Sequence, residues 1–253
     1  MAYLNVMIFP IGDTNVQGGF KPYFSYSLIA LNIGIFLLQV MTPGQLVCDF
    51  ATIPLEVSEG QRLFTLFTSM FLHGGWMHLI GNMMFLWIFA DNIEAVIGNK
   101  SFIIFYIAGG LFSAAAHAGI DIWTGSGGAL AGCCMPCTAA DGCNTAATFC
   151  AGSIPSLGAS GAIAAVMGAY IVMFPKSRIK VLFFIMVFEI SAIYFLGFWF
   201  AEQFFSGIGA IGPMAETGGG VAWWAHIGGF VFGLAFGFLN KDKAPVVQAR
   251  ANS

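Results

Sequence analysis

Six apolar stretches without Lys or Arg determine what this chain of 253 residues can fold into. They lie at about 24 to 41, 63 to 90, 101 to 118, 158 to 174, 181 to 201 and 221 to 239. A helix needs roughly 20 apolar residues to cross a hydrocarbon layer of about 30 Å. We therefore predict an all-α polytopic membrane protein with six transmembrane helices. The second stretch is too long for one crossing, so its beginning, from Arg62 to about His73, should lie along the membrane surface.

The composition excludes the soluble classes of protein. Hydrophobic residues make up 58% of the chain and charged residues 8%, whereas a soluble domain carries roughly a quarter charged residues. The net charge of -3 leaves no basic surface for phosphate groups. The expected environment is the lipid bilayer, and no nucleic acid is expected as a partner.

The positive charges predict the orientation, because Lys and Arg accumulate in short cytoplasmic loops. If the N-terminus is cytoplasmic, all nine basic residues except Arg62 fall on that side. We expect a cytoplasmic segment at 1–22, a membrane domain at 23–240 and a cytoplasmic tail at 241–253. Both termini would then be cytoplasmic, in an integral protein of the bacterial inner (plasma) membrane.

This orientation places every cysteine on the outer side of the membrane. One follows the first helix and five lie in a Gly/Ala/Ser/Thr-rich insertion at about 120–155, namely Cys48, Cys133, Cys134, Cys137, Cys143 and Cys150. An even count in an oxidising compartment favours disulfides. The spacing Cys134-x-x-Cys137 could instead form a redox or zinc pair, but no second pair or nearby histidine completes a metal site. We predict no metal and no other cofactor.

Polar side chains at membrane depth are costly and usually functional. The first such cluster is His73, His78 and Asn82, at the start of the second helix. His78 and Asn82 are four residues apart, so both can donate hydrogen bonds to one point in the bundle. His73 should lie nearer the outer interface, where it is easily hydrated. The alternative is that this pair only bonds neighbouring helices.

The second cluster is Gly158-Ala159-Ser160-Gly161, where small residues surround one hydroxyl group at the beginning of the fourth helix. A serine nucleophile needs this openness, because the substrate backbone must reach Oγ. The free N–H groups of a helix N-terminus can also face a developing oxyanion. The alternative is ordinary helix packing through small residues.

The third cluster begins at His226, early in the sixth helix. His226, Gly229 and Gly233 lie on one stripe, and the Gly-x-x-x-Gly pair permits close approach of another helix. Its expected neighbour is the small-residue face of the fourth helix. That contact would set His226 beside Ser160 as a general base.

No acid is placed to orient that histidine. The acids near the fifth stretch are Glu189, Glu202 and Glu216. Glu189 should lie about eight residues into the fifth helix, at membrane depth. The sequence therefore favours a dyad of two residues over a triad.

Taken together, His73-x4-His78-x3-Asn82, Gly158-Ala159-Ser160-Gly161 and Ala225-His226-x2-Gly229-x3-Gly233 make the chain resemble the rhomboid family of intramembrane serine proteases. The order and helix placement of these motifs agree, and the resemblance covers roughly residues 24 to 240. It implies a six-helix bundle whose water-filled cavity opens outward and holds a Ser–His dyad below the membrane surface.

The resemblance also implies roles for individual residues. Ser160 resembles the family's nucleophile and His226 its general base, which later protonates the leaving amine. His78, Asn82 and the backbone N–H of Ser160 resemble its oxyanion-stabilising groups. Five more residues are expected to shape the site. Two of them, Gly158 and Gly161, keep it open, and the other three are Gly229, Gly233 and His73.

Two further family positions are present, and two depart from the pattern. Arg62 falls where the outer surface loop carries an arginine, and Glu94 falls where the second helix ends in a glutamate; both resemble structural residues. Many relatives place a tryptophan before that arginine, where this chain has Gln61. Some relatives stack a tyrosine against the histidine one turn after the serine, where this chain has Ala164.

The function implied by the resemblance is cleavage of single-span membrane proteins within or near their transmembrane segment, through an acyl-enzyme. One alternative is a catalytically silent relative that binds membrane clients. A second is a thiol–disulfide enzyme built on Cys134 and Cys137, and a transporter is disfavoured by the lack of an ion path. The sequence does not indicate an oligomeric state.

Overall fold

The computed structural model describes residues 8–14, 16, 19–42, 44–123, 154–209 and 222–244. The helices within these ranges are α1 Tyr23–Met41, α2 Gln45–Phe50, α3 Pro54–Ser58, α4 Thr65–Thr68, α5 Trp76–Ile97, α6 Asn99–Trp123, α7 Ser160–Met173, α8 Ala192–Gly209 and α9 Trp223–Asn240. A short 3-10 turn lies at Ser69–Phe71, and the strands are β1 Ile8–Gly12, β2 Arg178–Phe183 and β3 Met186–Ser191.

Within the described ranges, three helices are long and apolar enough to cross a membrane, at Tyr23–Met41, Trp76–Ile97 and Asn99–Ile120. These three, α7 and α9 overlap five of the six apolar stretches, and α8 begins in the second half of the stretch 181–201. α7 has 14 residues and is almost completely buried, so the other helices surround it. The protein is thus largely helical with three candidate spans, and the count of six crossings stays a prediction.

α7 and α9 pack backbone against backbone. A Cβ atom on Gly229 would overlap the carbonyl oxygen of Gly161 on α7. One turn later, a Cβ atom on Gly233 would lie 2.9 Å from the Cα atom of Ala165. Helices can approach this closely only where both carry small residues. The small-residue faces of α7 and α9 are in contact as predicted, and this contact brings the start of α7 next to the start of α9.

A three-stranded antiparallel sheet in the order β1-β2-β3 corrects the all-α prediction. The stretch 181–201 is not one helix, because its first half forms the hairpin of β2 and β3. Aromatic and β-branched residues fill this half, and they favour strands as much as apolarity favours helices. Glu189 consequently lies exposed on β3 opposite Lys180, and the expectation that it lies within the fifth helix was wrong.

Side chains from three parts of the chain hold the sheet to the helices. Asn92 on α5 donates a hydrogen bond from Nδ2 to Asp13 at 2.6 Å and accepts one from the backbone N–H of Val16 at 2.6 Å. The hydroxyl group of Tyr170 on α7 also donates to Asp13. Burial raises the pKa of Asp13 to about 6, against hydrogen bonds that act to lower it.

The side chain of Glu94 connects the beginning of α1 to the end of α5 through hydrogen bonds. This side chain is completely buried and accepts four hydrogen bonds. Two come from the backbone N–H groups of Phe24 and Ser25, at 2.9 and 2.7 Å, and one from the Ser25 hydroxyl at 2.6 Å. The fourth comes from the Asn99 amide at 2.6 Å. Glu94 therefore caps free N–H groups of α1, which has no capping side chain of its own.

Arg62 holds the connection between α1 and α5 in a similar way. It forms an ion pair with Glu56 at 3.0 Å and donates to the carbonyl oxygen of Cys48 at 2.7 Å. The side chain of Gln61, where relatives carry a tryptophan, donates to Glu59 at the exposed surface. Cys48 is disulfide-bonded, and its partner lies outside the described residues. The predictions for the other five cysteines, including Cys134-x-x-Cys137, also fall outside those residues.

Candidate active site

The hydroxyl group of Ser160 and the imidazole of His226 are in hydrogen-bond contact. Ser160 is the first residue of α7, and His226 lies in the first turn of α9. The distance from His226 Nε2 to Ser160 Oγ is 2.8 Å. The close packing of α7 on α9 sets this distance, because the glycine contacts fix how far apart the two helix ends lie. The pair can move a proton from oxygen to nitrogen without rearrangement.

The chain reaches Ser160 through a backbone turn that requires glycine. Gly158 has a φ angle of 131°, which side-chain-bearing residues rarely adopt, and its N–H donates to the carbonyl oxygen of Ser69 at 2.9 Å. A Cβ atom there would lie 2.9 Å from His78 Nε2. Since Ser160 begins a helix, its own N–H has no partner within that helix. This N–H is available to an oxygen atom bound beside Oγ.

His78 and Asn82 lie on α5, on the same side of the site. The backbone N–H of Gly74 donates to His78 Nδ1 at 3.2 Å. A neutral His78 accepting that bond carries its proton on Nε2, the atom beside Gly158. Asn82 Nδ2 is buried and has no hydrogen-bond partner among the described residues. Among the described residues, the Nε2–H group of His78 and the Asn82 amide thus have no acceptor, and both lie near Ser160.

These groups share one cavity of about 600 Å³. Ser160, His78, Asn82 and His226 line it together with apolar side chains, which include Met77, Phe85, Met167 and Trp199. Pockets that combine an apolar wall with a few convergent polar groups are typical of binding and catalytic sites. The cavity has the size and lining to admit a peptide segment carrying apolar side chains.

His226 has further partners on α8, which sequence reasoning missed. Gln203 Oε1 lies 2.6 Å from His226 Nδ1. The Trp199 ring, one turn earlier, has its centroid 5.8 Å from that of the imidazole. The sequence analysis weighed only acids for the orientation of His226, among them Glu202, although Gln203 follows Glu202 directly. The available signal was this polar pair at the end of an apolar stretch.

His73 does not have the hydrated position expected of it, since its side chain is completely buried. Gln39 on α1 holds its backbone, donating to the His73 carbonyl oxygen at 2.5 Å and accepting from its N–H at 3.1 Å. The His73 ring meets the His78 ring edge to face, with 5.3 Å between centroids. His73 thus packs behind His78 and does not face the cavity, because α1 covers the segment preceding α5.

Gly161, Gly229 and Gly233 act through packing. A Cβ atom on Gly161 would lie 2.7 Å from that of Ser113 on α6. Ser113 in turn donates to the carbonyl oxygen of Ala225 at 2.7 Å. Gly161 therefore permits α6 to reach both α7 and α9, which differs from the expected role of keeping the cavity open. Gly158 is the glycine that leaves room, because it borders His78 and Ser160.

The described residues contain no group of three side chains placed to bind a metal ion. The cysteine-rich insertion at about 120–155 lies mostly outside them. The predicted lack of a metal or other cofactor accordingly stays a prediction.

Comparison with known proteins agrees with the geometry. The sequence model of the Rhomboid domain family matches residues 60–242. The mitochondrial presenilin-associated rhomboid-like protein of Mus musculus is 27% identical over 191 residues, which cover 71% of this chain and 40% of the mouse protein. Rhomboid protease GluP of Bacillus subtilis strain 168 is 31% identical over 120 residues, 45% of this chain and 24% of GluP.

A plant protein is similar over a comparable region. The mitochondrial RHOMBOID-like protein 12 of Arabidopsis thaliana is 30% identical over 165 residues, which cover 63% of this chain and 44% of that protein. The chain spans less than half of the length of these relatives. The family match nevertheless covers more than half of the chain and includes Ser160, His226, His78 and Asn82. With the three motifs and the serine–histidine contact, it shows that the chain belongs to the rhomboid family.

Proposed function

We propose that this protein is a serine endopeptidase that cleaves single-span membrane proteins within or near their transmembrane segment. The observation that carries the proposal is the 2.8 Å contact between Ser160 Oγ and His226 Nε2 at the wall of an open cavity. One relative is named a protease. A serine hydroxyl becomes a nucleophile when a neighbouring base takes its proton, and this contact supplies that base.

The first half of the reaction forms an acyl-enzyme. His226 Nε2 takes the proton of Ser160 as Oγ attacks the substrate carbonyl carbon, and the carbonyl oxygen becomes an oxyanion. The Ser160 N–H, the Nε2–H group of His78 and the Asn82 amide can donate to that oxyanion. When the intermediate collapses, the peptide C–N bond breaks and His226 gives its proton to the leaving amine.

The second half releases the other product. Water enters the cavity and gives a proton to His226 as its oxygen attacks the acyl carbon. The same donors stabilise the second oxyanion, and the ester bond to Ser160 breaks as His226 returns the proton to Oγ. No cofactor takes part in this scheme.

The length of α7 supports cleavage within the membrane. A helix of 14 residues is about 21 Å long, shorter than a hydrocarbon layer of about 30 Å. With Met173 at the cytoplasmic side, Ser160 would lie about 9 Å below the opposite surface. The substrate would have to unwind to expose a carbonyl there. The relatives include mitochondrial proteins as well as a bacterial one, so they do not favour the bacterial inner membrane in particular.

The test is labelling of the purified protein by a fluorophosphonate in detergent and in liposomes, followed by peptide mass spectrometry. We expect one adduct on Ser160, absent in Ser160→Ala and reduced by about a thousandfold or more in His226→Ala. Ser101→Ala is the matched control, because Ser101 is an exposed serine at the beginning of α6.

Two results would contradict the proposal. An adduct on another serine would show that Ser160 is not the nucleophile. If no adduct forms in either setting and a single-span membrane protein with Gly and Ser in its helix is bound but not cut, the protein is a silent relative that binds membrane clients.

A further inference from the structure

We propose that Gln203 is a positioning residue that fixes the tautomer of His226 and so completes a Ser160–His226–Gln203 triad with an uncharged third member. This inference deepens the proposed function and rests on it. The dyad predicted from the sequence contained two residues, and the structure places a third at its far end.

The two ring nitrogens of His226 have different partners. Nε2 lies 2.8 Å from Ser160 Oγ, and Nδ1 lies 2.6 Å from Gln203 Oε1. An amide oxygen can only accept a hydrogen bond, so the neutral ring must carry its proton on Nδ1 to satisfy this contact. Nε2 then presents a lone pair to the Ser160 hydroxyl. The opposite tautomer would place two lone pairs against each other at Nδ1 and would leave Ser160 without a base.

The orientation of the amide is itself fixed. Gln203 Nε2 donates to the carboxylate of Glu202 at 2.9 Å. A carboxylate accepts hydrogen bonds, whereas an imidazole Nδ1–H donates them, so the amide has its correct acceptor end toward His226. Glu202 remains exposed at the surface. This acid thus orients the amide of Gln203 and does not contact the histidine.

An uncharged residue suits this position. The Gln203 side chain is 4% exposed, and a carboxylate buried within the membrane would be costly. An amide supplies the required acceptor without that cost. It also has less ability than a carboxylate to stabilise the imidazolium ion that forms during the reaction.

The face of α8 that carries Gln203 also packs against the imidazole ring of His226. Trp199 precedes Gln203 by one turn, so both side chains project from one stripe. Its ring lies at 37° to the imidazole, and Trp223 on α9 meets the imidazole edge to face with 6.4 Å between centroids. Ala164, the position of the stacking tyrosine in some relatives, cannot provide such a contact. In this chain α8 supplies both the ring packing and the hydrogen bond.

The test measures both the tautomer of His226 and the reactivity of Ser160. Protein labelled with ¹⁵N-histidine is studied by NMR at neutral pH, and His226 is assigned from its missing signals in His226→Ala. We expect the wild type to show a protonated Nδ1. In Gln203→Leu, which keeps the size but loses the acceptor, we expect both tautomers and fluorophosphonate labelling of Ser160 slowed by about ten- to a hundredfold.

Two variants complete the design. Gln45→Leu, an exposed glutamine at the beginning of α2, is the matched control and should match the wild type. If Gln203→Leu does not fold, Gln203→Met removes the acceptor with a more flexible side chain.

The inference is overturned if Gln203→Leu keeps the wild-type tautomer, whether or not labelling slows, since a slower rate alone would reflect packing. Failure of the proposed function is a separate result. If wild-type Ser160 forms no adduct, the protease proposal fails, while the NMR experiment still decides whether Gln203 sets the tautomer.

Discussion

The two ends of the helix bundle differ in the hydrogen bonding of their buried polar groups. At the end that contains Glu94, a completely buried carboxylate accepts four hydrogen bonds, and Asn92 and Tyr170 both donate to Asp13. At the end that contains Ser160, the amide of Asn82 is buried without a partner among the described residues.

This difference separates architecture from function. Buried polar groups are normally satisfied, and each exception needs an explanation. The satisfied groups near Glu94 hold elements together. The unsatisfied donor near Ser160 faces a cavity, where a ligand oxygen can satisfy it. Glu94 and Asn82 therefore differ in whether their hydrogen bonds are already made, and this difference agrees with the roles assigned to them.

The largest effect on stability should come from Glu94→Ala. This change leaves buried donors of α1 without an acceptor, and we expect it to lower the free energy of unfolding by about 3–5 kcal/mol. Thermal or denaturant unfolding in detergent measures the loss. Glu189→Ala is the matched control, because Glu189 is exposed and should contribute at most about 1 kcal/mol. Equal losses in the two variants would show that the hydrogen bonds to Glu94 do not stabilise this end of the bundle.

Asn82→Ala should have the opposite profile. It removes a donor with no partner among the described residues, so the free energy of unfolding should change by less than about 1 kcal/mol. Loss of one oxyanion donor should slow substrate cleavage by about a hundredfold. Cleavage kinetics and unfolding of the same preparation provide the measurement, with Asn240→Ala at the end of α9 as control. A strongly destabilised variant with normal specific activity would show that Asn82 belongs to the architecture.

The smallest effect concerns Asp13 and pH. Its pKa is raised by burial from 3.8 to about 6, so its protonated form favours the folded state. This contribution is complete below pH 3.8 and is lost as the pH rises through about 6. We expect β1 to be held more tightly at pH 5 than at pH 7.5, by about 1 kcal/mol. Hydrogen exchange of the β1 amides, corrected for the intrinsic rate, measures this change.

Asp13→Asn is the control for that experiment. Asparagine keeps an acceptor oxygen but does not titrate, so the difference between the two pH values should disappear. A difference of unchanged size in this variant would assign the effect to another group.

The sequence predicted most of what depends on local pattern. Apolar length placed the long helices, and the small-residue stripes of α7 and α9 predicted the contact that brings Ser160 to His226. The β2–β3 hairpin was missed because an apolar stretch with aromatic and β-branched residues is compatible with helix and strand alike. Gln203 was missed because its role depends on how α8 packs against α9, which no spacing within one helix reveals.

The interlocked glycines of α7 and α9 have a mechanical consequence. Gly229, Gly233 and Gly237 sit against α7 at successive turns, each too close for a Cβ atom. Helices packed so closely resist sliding past each other, because a shift of less than one turn would bring their backbone atoms into steric overlap. The two helices should therefore move as one rigid body, which keeps the distance between Ser160 and His226 constant. Any widening of the cavity is then left to the walls that α7 and α9 do not form.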